Sequence, residues 1–196
     1  IMSKKLALGC DVLVLDVKVG SGAFMKTLPE ARLLAETMVR IGKAAGIKTA
    51  ALLTDMNEPL GYAVGNGLEV AEAVDILKGR GGSPRLRQVS LALCAAMLRA
   101  AGLAGENADE LAEEALASGA ALGRLRAMIE AQGGDARALD DYSLLYAPKF
   151  KKTVCAPETG FLAQIDTARV GRAAMLLGAG REKLGDAVDK SAGLLM

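Results

Sequence analysis

Apolar positions along this chain follow two periods, and the period sets the expected element at each stretch. Residues 1–7, Ile1-Met2-Ser3-Lys4-Lys5-Leu6-Ala7, read as helix with no cap before them, and Gly9-Cys10-Asp11 reads as a stop and turn. Val12 to Val19 is apolar and β-branched, continuous in its first half and alternating in its second. That pattern predicts a strand buried on both faces that emerges at its C-terminal end, where Gly20-Ser21-Gly22-Ala23-Phe24-Met25 forms a loop. A helix is expected from Leu28 to Ala45, with Leu33, Leu34, Thr37, Met38 and Ile41 as its apolar stripe. Pro29 suits its first turn, where a missing N–H costs nothing. Residues 48–54 read as a second short strand, so strand, helix and strand make one βαβ unit with a right-handed crossover.

Further along, Asp55 to Tyr62 forms a second loop at the same sheet edge. Gly65-Asn66-Gly67 opens a helix over 68–78 with Val70, Val74 and Leu77 inward, and a break follows at 79–84. Helices are expected over 86–100, 109–118 and 120–132, then a connector over 133–149. In the last third, Gly160 to Ile165 alternates and is the best strand candidate; Thr153-Val154-Cys155 is a weaker one, and 172–177 is ambiguous. The fold class expected is α/β: a mixed or largely parallel sheet flanked by helices, then the start of a smaller α+β C-terminal region. The unfinished apolar elements at both ends read as truncation.

Composition narrows the chemistry. Hydrophobic residues make up 52% of the 196 but aromatics only 3%, so the core must be built from Ala, Leu, Val, Ile and Met. Twenty-four basic against 23 acidic residues leave a net charge of +1, which favours neither a polyanion binder nor an acidic tail. Arg85, Arg87 and Arg99 have no aromatic interleaving, so nucleic-acid binding has little support. The three cysteines, Cys10, Cys94 and Cys155, are far apart and include no C-x-x-C, and reduced, mostly buried thiols in a cytoplasmic protein are the simplest account. With no histidine, a Cys/His zinc site, a Ser-His-Asp triad and a histidine general base drop out. No apolar run reaches the roughly 18 residues that span a bilayer, so no membrane partner is expected.

Candidate chemistry gathers at the strand ends and the following turns. Gly20-Ser21-Gly22 reads either as a structural turn or as one that frees backbone N–H groups for an anion or base; it is neither a P-loop nor a dinucleotide fingerprint. Asp16 and Lys18 share a strand face, either as an ion pair that organises the loop or as a catalytic pair. Lys4 and Lys5 point about 100° apart on a helix, so one can face a pocket and the other solvent; two solvated lysines is the plainer alternative. Glu58, Glu69 and Glu72 surround a glycine-rich turn, with Glu69 and Glu72 on one helix face. Such carboxylates suit a hard cation, although a solvated helix face is the simpler account from spacing alone.

The run from Asp11 to Met25, Asp-Val-Leu-Val-Leu-Asp-Val-Lys-Val-Gly-Ser-Gly-Ala-Phe-Met, resembles the pyrimidine-nucleoside and thymidine phosphorylases. So do Ser3-Lys4-Lys5-Leu6-Ala7, Thr54-Asp55-Met56-Asn57-Glu58-Pro59-Leu60-Gly61 and Gly65-Asn66-Gly67-Leu68-Glu69-Val70. Ala131-Gln132-Gly133-Gly134 and Ala156-Pro157-Glu158-Thr159-Gly160 match later segments, so the resemblance covers essentially the whole chain.

The resemblance implies reversible phosphorolysis of a pyrimidine nucleoside to free base and pentose 1-phosphate, in a cytoplasmic homodimer. The family joins a small helical domain to a larger α/β domain, which makes 1–8 the end of a helical-domain segment. On the same reading 9–148 is the α/β portion and 149–196 the truncated start of the C-terminal region. Lys4 matches the lysine that hydrogen-bonds the pyrimidine carbonyl, and Phe24 and Met25 match apolar residues beside the base. Leu60 and Ala63 match positions whose backbone carbonyls hold a cation in some members, and Glu72 matches the carboxylate ligand there. That implies a bound potassium or calcium ion of structural role, inorganic phosphate as co-substrate, and no organic cofactor. The family's lysine–histidine–serine cluster, glycine-rich phosphate loop and base-binding arginine have no counterpart here, so the fragment alone is expected to be inactive. A related phosphoribosyltransferase and a noncatalytic α/β interaction domain are the alternatives; the first lacks a correctly placed acidic magnesium motif.

Overall fold

Two β-rich stretches pair first. Val12–Val19 forms β1 and Lys48–Asp55 forms β2, joined in parallel with Val12 opposite Lys48 and Val19 opposite Asp55. A parallel pair needs a crossover, and here it is a helix, α2 (Leu28–Ala44). Thr27 caps that helix reciprocally with Glu30, and the Thr27 hydroxyl and amide hold the Glu30 carboxyl below its ordinary range. A short helix, α1 (Met2–Leu6), precedes β1 and ends before Gly9, whose φ is +63°. This computed structural model describes all 196 residues and shows the expected α/β architecture, parallel strands flanked by helices.

The chain divides into two compact units, Ile1–Asn57 with Pro84–Ser118, and Glu58–Ser83 with Gly119–Met196. The first holds α1, β1, α2 and β2, plus α4 (Pro84–Ala101) and α5 (Ala108–Ala117); the second holds α3 (Asn66–Leu77) among its elements. Leu13, Leu15 and Val17 of β1 pack with Met2, Ala31, Ala35 and Met38 as the core of the first unit. β1 is fully buried on that face only; Val12 and Val14 are half-buried, and Asp16 is exposed. Met38 faces inward as expected and Leu34 packs at the edge of the core, but the rest of the α2 stripe is rotated from the expected one. Ala31, Ala35, Met38 and Gly42 are buried, whereas Leu33 is 64% exposed and Ile41 is exposed. Small residues win that face because the helix lies so close to β2: a Cβ on Gly42 would overlap the Thr49 hydroxyl.

In the second unit, Ala63–Val64 forms β3, which pairs antiparallel with β4 (Leu194–Leu195). α3 buries Val74, as expected, but Val70 faces solvent. The remaining elements are α6 (Ala120–Ala131), 3₁₀ turns at Ala136–Leu139 and Tyr142–Leu144, and α7 (Thr167–Ala174) running into a π turn, Met175–Ala179. Lys78, half-buried after α3, donates to the Leu139 carbonyl and pairs with Asp140 at 2.9 Å. Tyr142 donates its hydroxyl to Asp75 at 2.6 Å; burial, then that carboxylate, pushes the phenol upward.

The strand expected at Gly160–Ile165 does not form, nor does one at Thr153–Cys155. Alternation gives a strand a face but not a partner, and no strand pairs with this segment; Phe161 and Leu162 are exposed. The three cysteines are free, but none is fully buried: Cys10 and Cys94 are half-buried, and Cys155 is exposed because it lies in that same irregular stretch.

Candidate functional site

The C-terminal ends of β1 and β2 bring polar side chains together within the first unit. Lys18 Nζ lies 2.6 Å from Asp16 Oδ2 and donates to Thr54 Oγ1 at 3.0 Å, while the Thr54 hydroxyl donates to Asp16 Oδ1. Asp16 and Lys18 therefore form the ion pair that their shared face allowed, and Thr54 closes it from the neighbouring strand, opposite Lys18 in the register. Only the register reveals Thr54, which the sequence did not single out.

The Gly20–Met25 loop sits beyond this triad. Gly20 has φ +134°, and a Cβ there would lie 2.8 Å from the Asn57 backbone nitrogen, so glycine is required. Within Gly20-Ser21-Gly22 every N–H is already taken by the protein, so this glycine turn offers none to an anion. The Gly20, Ser21, Gly22 and Ala23 amides donate to Met25 O, Asn57 Oδ1, Met56 O and Gly20 O respectively. Of the loop's two apolar residues, Met25 packs back on the core, and Phe24 is 98% exposed. Lys4 and Lys5 lie on α1, and both are exposed. Arg85, at the start of α4, pairs with Asp55 at 2.9 Å; Arg87 pairs with Glu113 and Arg99 with Asp109. A shallow hollow lined by Lys43, Ile47, Lys48 and Ala100 lies at the other end of β2, away from these loops.

A second constellation lies wholly in the other unit. Glu72 is only 8% exposed, so it does not belong to a solvated face. Its Oε1 accepts the Tyr62 amide at 2.9 Å and the Ser83 amide at 3.0 Å, and its Oε2 accepts the Ala63 amide at 2.8 Å. Ser83 also donates its hydroxyl to the Leu60 carbonyl at 2.8 Å. Glu69, three residues earlier, is exposed and accepts the Gly65 amide at 2.9 Å at the start of α3. Ser83 escaped the sequence reading; its signal was a small hydroxyl residue between Gly82 and Pro84 in a helix break.

Leu60, Ala63 and Glu72 thus fall on one loop, the short strand β3 that ends it and the helix after it. Their donor set, one carboxylate and two backbone carbonyls, has the oxygen chemistry that suits potassium or calcium. A carboxylate has about four acceptor positions, and three here take amides. No cluster of three or more His, Cys, Asp or Glu side chains that could hold a metal occurs.

Comparison with known proteins places these features. The family model "Glycosyl transferase family, a/b domain" matches residues 1–122, and "Pyrimidine nucleoside phosphorylase C-terminal domain" matches 161–196. Pyrimidine-nucleoside phosphorylase of Geobacillus stearothermophilus is 46% identical over 198 aligned positions, covering 100% of this chain and 46% of that protein. The proteins of the same name from Bacillus subtilis and Staphylococcus aureus are 44% identical with the same coverage. The chain therefore spans about half the length of these curated relatives. With the a/b model over most of its length and the phosphorylase C-terminal model after it, the chain belongs to the pyrimidine-nucleoside phosphorylase family.

Proposed function

We propose that this chain is part of an enzyme that reversibly phosphorolyses a pyrimidine nucleoside to free base and (deoxy)ribose 1-phosphate. The observation that supports the reading is similarity along the whole chain, at 44–46% identity, to pyrimidine-nucleoside phosphorylases. A phosphate oxygen attacks the anomeric carbon, the glycosidic C–N bond breaks, and its electron pair leaves on the base nitrogen. Lys4 donates to a pyrimidine carbonyl and stabilises the negative charge that builds on the departing base. Phe24 and Met25 line the apolar side of the base, Phe24 by its outward ring and Met25 by its anchorage to the core. The residues that hold phosphate lie outside this chain, so the chain alone is catalytically silent.

The same reading gives Leu60, Ala63 and Glu72 a potassium or calcium ion. That ion ties the 58–65 loop to α3 and takes no part in bond breaking; the enzyme uses no organic cofactor. It works as a cytoplasmic homodimer without nucleic acid or membrane. No helix is long and apolar enough to cross a membrane.

The test is an assay of the full-length protein with thymidine or uridine plus phosphate, detecting the pentose 1-phosphate. Anthranilate with phosphoribosyl diphosphate serves as the competing substrate pair. Lys4→Ala should lower kcat/KM by about 100-fold, because a charge-assisted contact to the leaving base is lost, and leave far-UV circular dichroism unchanged. Full activity in the folded variant would refute the role of Lys4.

A further inference from the structure

Asn57 has no role in the reading above, yet it holds the loop that carries Phe24. Its Oδ1 accepts the Ser21 amide at 3.0 Å, and its backbone carbonyl accepts the Ser21 hydroxyl at 3.3 Å. Its neighbour Met56 reinforces the seam: the Met56 carbonyl accepts the Gly22 amide at 2.9 Å, and the Met56 amide donates to Val19 O at 2.7 Å. The approach is close enough that a Cβ at Gly20 would meet Asn57 Oδ1 at 2.8 Å. Asn57 is itself held. Its Nδ2 donates to Asp55 Oδ1, and Asp55 Oδ2 pairs with Arg85 at 2.9 Å. One polar line thus runs from the first turn of α4, through the end of β2, to the backbone of the Gly20–Met25 loop.

We propose that Asn57 is a positioning residue for nucleoside binding, acting through this loop to hold Phe24 in its outward pose. An aromatic side chain that is 98% exposed has no packing of its own to fix it, so its direction depends on the backbone beneath it. Anchoring that backbone before substrate arrives removes an ordering cost from binding. A ring that lies against the base before and during bond breaking contributes uniform binding, so loss of its anchor raises KM and spares kcat. This inference rests on the proposed function, which sets Phe24 beside the base.

The experiment is a double-mutant cycle in the full-length enzyme, with uridine or thymidine and phosphate. Asn57→Ala should raise the nucleoside KM about tenfold, the worth of one or two lost hydrogen bonds, with kcat and the phosphate KM within about twofold. In the Phe24→Ala background the same change should add less than about twofold, because the two residues act as one unit. Amide exchange over residues 20–26 should quicken in Asn57→Ala. Should that variant fail to fold, Asn57→Asp keeps the volume and the Ser21 acceptor but sets a carboxylate against Asp55. Its nucleoside KM should also rise, and the rise should vanish in Phe24→Ala. An active wild type with independent, multiplying effects, or with a Phe24→Ala that leaves the nucleoside KM unmoved, would overturn the inference alone. A wild type without phosphorolysis would overturn the functional reading and the inference with it.

Discussion

Glu72→Gln isolates what the buried carboxylate does, because it changes charge and one donor pattern while keeping shape. In the native arrangement both oxygens accept backbone amides, Oε1 from Tyr62 and Ser83, Oε2 from Ala63. Glutamine keeps its oxygen toward Tyr62 and Ser83, which sets its NH₂ against the Ala63 N–H, two donors where native atoms sit 2.8 Å apart. One buried donor left unpaired costs about 1–3 kcal/mol, and loss of charge assistance at two further bonds costs about 0.5–1.5 kcal/mol each. Relief of the carboxylate's desolvation offsets part of this, leaving about 2 kcal/mol at the Ala63 amide. The readout is site-resolved hydrogen exchange on the full-length protein, without added potassium or calcium so that the proposed cation does not mask the cage. Ala63 should exchange about 30-fold faster, the equivalent of that energy, while β1 amides stay unchanged. Exchange at Ala63 within twofold of wild type would refute the claim that the carboxylate anchors this loop.

Three further outcomes follow from specific contacts. Gly42→Ala should destabilise the protein by about 1–3 kcal/mol in urea denaturation through overpacking, because the new Cβ meets the Thr49 Cβ at 2.8 Å as well as its hydroxyl; a gain in stability, as helix propensity alone gives, would contradict the packing. Asp140 is held down to about 2 by Arg126 first and then Lys78, below its unfolded value near 3.9. Its contribution is therefore complete above about pH 4 and lost as pH falls toward 2, so the melting-temperature gap between wild type and Asp140→Asn should close over that window; a gap that stays constant would count against it. Gly61→Ala should speed exchange at Tyr62 and Ala63, since a Cβ there would overlap Glu72 Oε2; unchanged exchange would mean the loop absorbs the methyl freely.

The βαβ core was legible because its signals are short-range. Val12–Val19 and Lys48–Asp55 form as the apolar runs implied, and the loops fall where glycine and proline set them. Failures came wherever a distant partner decides. The inward face of α2 could be read only in part from residue size: Met38 lies inward and Leu34 at the edge of the core, but large Leu33 and Ile41 lie outward and small Ala31, Ala35 and Gly42 inward; how near β2 comes is a property of the sheet, not of the helix. β3 and β4 join Ala63 to Leu195, a pairing too short and too remote to leave a periodic trace. Gly160–Ile165 shows the reverse error, a strand-like alternation with no ladder to complete it.

The candidate site divides along the same line. Spacing placed Asp16 and Lys18 on one face, and the ion pair is there; it could not supply Thr54, which arrives only when β2 aligns with β1. Glu69 and Glu72 make the sharper case. Three residues apart on one helix, they are equivalent to any rule based on period or propensity. Yet Glu69 is exposed and accepts a local amide at the helix start, whereas Glu72 is buried under amides from two separate segments, 62–63 and 83. A helix pattern fixes which way a carboxylate points. It does not fix which donors the rest of the chain brings to meet it, and that convergence separates a charge that water would have solvated from one that anchors a loop.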